Sequence, residues 1–269
     1  MTDFLEQVVA ERRERVVDIL RPMRRALEER SAARRDRPRD FAAALRERVG
    51  AGHVAVIAEV KRRSPSTGEL ARIPDAATLA LYYALGGAAA ISVLTEERHF
   101  GGSVADLARV RESVRVPVLR KDFIVDELQL VEAHAHGADA VLLIADALET
   151  AELRALLDAA TALGLGVLLE AHEEDALERA IATSAPVIGI NQRDLRSLEL
   201  ESDTVARLAS RVPADRVLVA ESGIAHASDV RALPSRVDAV LVGTALIGLS
   251  DPHERVRELA AVTRERTPS

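Results

Sequence analysis

The chain has no cysteine and no tryptophan, and only 2% of its 269 residues are aromatic. Without cysteine there is no disulfide, no thiolate metal ligand and no thiol nucleophile, so any chemistry must come from carboxylates, amines, hydroxyls or imidazoles. Scarce aromatics leave the core to Leu, Val, Ala and Ile, and offer no stacking platform for bases. No stretch approaches about 18 uncharged apolar residues, and the N-terminus, MTDFLEQVVAERRERV, carries charges where a signal peptide needs an apolar block. The expectation is a cytoplasmic protein with no membrane partner. The seven histidines form no HExxH, and the one HxH pair, His134 and His136, has no further histidine beside it, so no metal site is expected.

Charge is just as uneven. Lys and Arg total 36, yet lysine stands only at Lys61 and Lys121, and the single asparagine is Asn191. A chain that uses Arg for nearly every positive charge keeps Lys where Arg fails. An ammonium can give up its proton when desolvated and a guanidinium cannot, which is what acid/base and Schiff-base chemistry need. The net charge is −7. Residues 1–50 are richer in Arg, but acids alternate with them, so this part is a solvated helical face rather than a nucleic-acid arm. It reads as two amphipathic helices broken near Pro22 and then a polar link through Pro38, a helical extension over 1–50 packed on a catalytic domain of 51–269.

From Val54 onward a short apolar run, a polar tip and a longer Ala/Leu/Glu/Arg stretch repeat. The runs begin at Val54, Ala88, Val116, Asp139, Gly166, Val187, Val217 and Asp238, at spacings of about 20 to 35 residues that suit βα units. Near-continuous apolarity predicts parallel strands covered on both faces. Eight such units predict an α/β fold, a single closed (β/α)₈ barrel. No GxGxxG or GxxxxGK[ST] pattern marks the first units, against a nucleotide-binding open sheet. The interval between Ile224 and Asp238 leaves room for only a brief helix.

In a barrel of this kind reacting groups project from the carboxyl ends of the strands. Residues two apart share a strand face, so Glu59 and Lys61 point together as an ion pair, Lys121 goes with Leu119 and Phe123, Glu170 with Leu168, Asn191 with Gly189 and Arg193, and Glu221 with Val219. His172 falls at the rim. Five strands thus send Glu, Lys, Lys, Glu, Asn and Glu into one small volume. Burying these charges costs several kcal/mol each (about that order) unless they are paired, and their mutual influence spreads their pKa values toward donor and acceptor roles. A set of salt bridges merely plugging the mouth is the rival reading. Ser222-Gly223 after the seventh strand and Gly243-Thr244 after the eighth stand where barrels hold phosphate on backbone N–H groups. The loop KRRSPSTG adds Arg62, Arg63, Ser64 and Ser66, able to close over an anion.

The segments IAEVKRRSPSTG, ISVLTEERHFGGS, VLRKDFIVDELQLVEAHAHGADAVLLI, VIGINQRDL and VAESGI resemble, in order and over essentially the whole chain, the motifs of indole-3-glycerol phosphate synthases. The resemblance implies a cofactor-free barrel that turns 1-(2-carboxyphenylamino)-1-deoxyribulose 5-phosphate into indole-3-glycerol phosphate, carbon dioxide and water in tryptophan biosynthesis. It implies Lys121 as the general acid, Lys61 as the partner of substrate carboxylate or phosphate, Glu170 as base, Glu59 as the residue tuning the lysines, and Asn191 and Glu221 as groups holding substrate hydroxyls. Ser64, Arg193, Ser222, Gly223, Gly243 and Thr244 match substrate- or phosphate-binding positions, and Phe123 a seat for the anthranilate ring. The partner implied is a small phosphorylated molecule, with no nucleic acid, and the chain is expected to be a monomer or a weak homodimer. Gln192 stands where Asn is common, and AHASDVRALPSRVD lacks the usual GAD-like turn; both bear on loop geometry only. Phosphoribosylanthranilate isomerase, a barrel with a related substrate, relies on a cysteine base that this chain lacks. A non-catalytic phosphate-binding barrel is the other alternative, and it predicts erosion of the polar strand-tip residues, all six of which are present.

Overall fold

The structure, a computed structural model, describes residues 3–65, 68–69, 75–249 and 251–264. Eight parallel strands close into a barrel in chain order: β1 Ala55–Val60, β2 Ala90–Leu94, β3 Val118–Lys121, β4 Ala140–Ile144, β5 Gly166–Ala171, β6 Val187–Asn191, β7 Val217–Glu221 and β8 Ala239–Val242. β8 pairs with β1 through Ala55 opposite Ala239 and Ala58 opposite Val242, which closes the ring. Each strand falls inside its predicted apolar run.

Strand alternation divides the core in two. One side chain set points inward, with Ile57, Leu119, Leu142, Leu168, Val219 and Leu241 among them. The other, including Val56, Val93, Val141, Leu169 and Val240, packs outward under the helices. Both faces are therefore buried, which is why the strands read as unbroken apolar runs. The outer ring is α4 Ala76–Leu85, α5 Val104–Ser113, α6 Glu127–Ala135, α7 Thr150–Ala162, α8 Glu174–Ile181, α9 Thr204–Leu208, α10 Ala227–Ala232 and α11 Pro252–Ala260. Their starts are set by side chains that accept orphan N–H groups: Asp75 from Ala77 and Thr78, Ser103 from Asp106, Asp126 from Leu128. The helix before β8 has six residues, as brief as its interval predicted. A two-stranded hairpin, Arg63–Ser64 with Gly68–Glu69, follows β1.

The extension departs from expectation in two ways. It does not break near Pro22. α1 (Phe4–Arg15) passes through a π-turn at Val16–Leu20 directly into α2 (Arg21–Ala32), and the Arg21 N–H donates to Val16 O. That wider turn accommodates a proline that offers no N–H of its own. Past Pro38 the chain forms a further helix, α3 (Phe41–Gly50), capped by Asp40. Phe41, Ala42 and Leu45 join the barrel's inner cluster, with Phe41 against Gly166 where β5 begins. α3 thus closes the amino ends of the strands. α1 lies at the other end: the Phe4 ring meets Phe123 edge-on at 6.5 Å, and its N–H donates to Arg196 O.

Candidate active site

At the carboxyl ends of the strands a cavity of about 460 Å³ opens. Lys121, Lys61, Glu170, Glu59, Asn191 and Glu221 line it, as do Ser64, Phe123, Arg193, Ser222, Gly223, Gly243 and Thr244. These thirteen positions meet in one space: the two-residue strand period turns Glu59, Lys121, Glu170, Asn191 and Glu221 inward at their tips, and the loops beyond the strands bring the others. Ser66 lies outside the described residues.

The floor is charged. Lys121 Nζ donates to Glu170 Oε2 at 3.0 Å and to Glu221 Oε2 at 3.3 Å. Burial works against the ammonium, but Glu170, Glu221 and the more distant Glu59 outweigh it and push the Lys121 pKa above its ordinary value. Glu170 is also buried. Lys121 and the Asn191 amide, which donates to Oε1 at 2.9 Å, nevertheless hold its pKa below the usual carboxylate value. Glu221 goes the other way: burial and the neighbouring Glu170 charge raise it well above the ordinary range. The two carboxylates meet the same ammonium, and their opposite shifts make Glu221 the more readily protonated of the pair.

The second amine sits nearer the rim. Lys61 Nζ pairs with Glu59 Oε1 at 3.1 Å and donates to Thr244 Oγ1 at 3.0 Å. Ser222 takes φ +67°, a left-handed conformation that costs a non-glycine residue about 1 kcal/mol. Its hydroxyl donates to Asn191 Oδ1 at 2.8 Å, and its carbonyl accepts from Gln192 Nε2 at 2.8 Å. Gln192, read in the sequence as a matter of loop geometry, thus braces this strained turn. His172 is buried beside Asn191, with Nδ1 2.7 Å from the Asn191 carbonyl oxygen, and its N–H donates to Asp146.

Two arginines are engaged within the protein. Arg62 does not face the mouth but donates to Asp106 at 2.9 Å on α5. Arg193 lines the cavity, yet its guanidinium donates to Leu198 O at 2.7 Å and ties down its own loop. The sequence reading also missed most of the apolar wall: Phe100, Leu142, Ile144, Leu195 and Leu198. Phe100 approaches Phe123 with ring centroids 6.2 Å apart. A signal for it existed, since one of only four phenylalanines stands in the strand-tip motif EERHFGGS. Glu96 shapes that loop by accepting the N–H groups of Arg98, His99 and Phe100. Among the described residues, the group whose ligand atoms lie together well enough to hold a metal ion is Asp251, His253 and Glu254, none of which lines the cavity. No described helix is long and apolar enough to cross a membrane.

The arrangement offers acids and bases on the floor, a hydroxyl-and-amine end at Lys61 and Thr244, and an apolar wall opposite. Comparisons with known proteins give the chain's family. The chain is 57% identical over 209 residues to an indole-3-glycerol phosphate synthase of Nocardioides sp. (strain ATCC BAA-499 / JS614), covering 77% of this chain and 80% of that protein. It is 53% identical over 236 residues to indole-3-glycerol phosphate synthase 1 of Streptomyces coelicolor, covering 87% and 86%. Among solved structures, a tryptophan synthase from M. tuberculosis in its ligand-free form superposes with a TM-score of 0.61 at 15% identity, over 82% of this chain and 97% of that one, a likeness of fold alone. The sequence profile described as Indole-3-glycerol phosphate synthase matches residues 5–259, and the chain belongs to that family of carboxy-lyases of tryptophan biosynthesis.

Proposed function

We propose that the chain closes the indole ring of 1-(2-carboxyphenylamino)-1-deoxyribulose 5-phosphate, with Lys121 as the acid of the ring-closing step. The observation that carries this reading is the Lys121 ammonium, held between Glu170 and Glu221 on the cavity floor. The substrate phosphate lies toward Lys61, Thr244 and the Ser222-Gly223 turn. The carboxyphenyl ring lies against Phe123, Phe100 and the leucines of the wall.

As the ring carbon bearing the carboxylate attacks the ketose carbonyl, negative charge grows on that oxygen, and Lys121 neutralises it by proton transfer. The bond to the carboxyl carbon then breaks, carbon dioxide leaves, and its electron pair restores the aromatic ring. An apolar wall helps by stripping water from the carboxylate. Loss of the new hydroxyl as water requires a second proton at the same oxygen. Lys121 supplies it after recharging from Glu221, whose carboxyl, 3.3 Å away, binds a proton more readily than an ordinary one because of burial and the Glu170 charge. Glu170, kept ionised, removes a proton from the methylene carbon beside the ring nitrogen, which completes the indole. One proton is taken up from solvent overall.

The direct test is incubation of the purified chain with the carboxyphenylamino substrate while following indole fluorescence and carbon dioxide release. Growth of both signals at equal rates is expected. Saturable quenching with no product would reduce the cavity to a binding site.

A further inference from the structure

Two glycines at the barrel's inner face leave room that a carboxylate takes up. Gly189 lies within β6 and is not among the positive-φ glycines, so its backbone is open to other residues, whereas Gly243, just past β8 at φ −126° and ψ −74°, lies outside the ordinary helix and strand regions and favours glycine on that ground as well. Glycine inside a strand also weakens it, by the entropy it loses and the packing it omits. What sets both positions apart is the space above them. A Cβ at Gly189 would stand 2.3 Å from Glu221 Oε1, and one at Gly243 would stand 2.4 Å from Glu59 Oε1. Such separations are not tolerated. At Gly102, by contrast, the added atom meets the Leu94 backbone, a matter of chain packing.

We propose that Gly189 and Gly243 are positioning residues, each a seat that lets one carboxylate of the reaction floor lie flat against a strand. Register explains the pairing. Asn191 is opposite Glu221 and Gly189 opposite Val219, so Glu221 leans back across the ladder onto the glycine two residues before its partner. Val242 is opposite Ala58, which brings Gly243 beside Glu59. With its seat filled, each carboxylate tip must swing into the cavity. Glu221 then loses its approach to Lys121, and Glu59 its 3.1 Å pair with Lys61. At Gly189 the strands need not move, because the clashing atom is the free end of a flexible side chain; at Gly243 Glu59 Cβ also lies 3.2 Å away. Gly243 thereby serves an amine as well as the phosphate end of the cavity.

This inference rests on the catalytic reading of Glu221, so the experiment separates the two. Gly189→Ala should fold with a melting temperature no lower than that of the parent chain and lose about 100-fold in kcat, the usual cost of a misplacement near 1 Å, with KM little changed. Adding Glu221→Asp, one methylene shorter, should restore about tenfold to Gly189→Ala while costing activity in the parent chain, a sign reversal that a merely structural glycine does not produce. Gly243→Ala with Glu59→Asp should behave alike. The proposal is overturned if Gly189→Ala keeps kcat within about twofold, if it fails to fold, or if the losses of the two substitutions simply multiply. Glu221→Gln in the parent chain distinguishes the failures: full turnover there removes Glu221 from the reaction, whereas its loss beside an active Gly189→Ala removes only the seat.

Discussion

Two ionic clusters lie back to back across β3, and they are built from different cations. Lys121 points into the barrel. Arg120 and Asp122, its neighbours in sequence, point out of it and join the contact with the helical extension. Arg120 is fully buried and donates to Thr95 Oγ1, Gln129 O, Asp122 and Glu132 at 2.7 to 3.1 Å. Arg12 of α1 reaches Asp122 at 2.8 Å and Glu97 at 2.7 Å, and Arg15 pairs with Glu132 at 2.8 Å. The outer cluster encloses its charges, and a guanidinium fork neither titrates nor swivels freely, so it holds α1 against the β2 and β3 tips. The inner cluster opens on a cavity, holds in Glu221 a carboxyl that burial and the Glu170 charge make easier to protonate, and is served by the two lysines. A single strand thus separates charge used to fix geometry from charge able to move a proton.

Exchanging the cations is the sharpest way to break this contrast. Lys121→Arg keeps a positive charge between Glu170 and Glu221 but removes the titratable amine. The chain should stay folded by circular dichroism and lose about 10³-fold in kcat, roughly 4 kcal/mol of barrier. Turnover near that of the parent would dissolve the distinction between the clusters. On the outer side Arg120→Met strands Glu132 and Asp122 without their shared partner, and should cost about 3 to 4 kcal/mol in denaturant unfolding, the usual result of breaking a buried ion pair. Folded Arg120→Met should still turn over, since Arg120 faces away from the cavity.

Acid titrates the outer cluster from its other side. Burial alone would raise the Glu132 pKa, but Arg120 and Arg15 hold it down to about 2, against an ordinary 4.5. A carboxyl depressed in the folded state stabilises fully above its unfolded pKa and loses that contribution as pH falls toward its folded one. Between pH 4.5 and about 2 the chain should therefore lose about 3 kcal/mol from this group, and Glu132→Gln should flatten that part of the stability curve. An unchanged acid limb in Glu132→Gln would show that the network does not hold this carboxyl down.

What the sequence revealed follows the same division. The eight strands and the inner cluster were legible because both rest on local rules: apolar runs mark the strands, and a two-residue period sets which tip residues face inward. The rare Lys61, Lys121 and Asn191 then stood out against an Arg-rich background. The outer cluster was not legible. Arg12 meets Asp122 across 110 positions of chain, and nothing local distinguishes it from the solvated arginines around it. Phe100, Leu195 and Leu198 escaped for another reason, since irregular loops rather than a strand period place them, as where Arg193 holds Leu198 O. The continuity of α1 with α2 was hidden by Pro22, whose helix-breaking tendency the π-turn absorbs.

The smallest change sharpens the comparison within the inner cluster, by asking whether its two lysines do the same work. Thr244→Val preserves shape but removes the oxygen that accepts from Lys61 Nζ at 3.0 Å. One lost hydrogen bond is worth about 1 kcal/mol. If Lys61 serves binding at the phosphate end, the loss should appear as a rise of about fivefold in KM with kcat unchanged, the signature of binding shared equally by substrate and transition state. If kcat falls instead while KM holds, Lys61 acts during bond making and breaking, and the proton work assigned to Lys121 is divided between both amines. Steady-state kinetics on this variant therefore separate a lysine that holds the substrate from one that reacts with it.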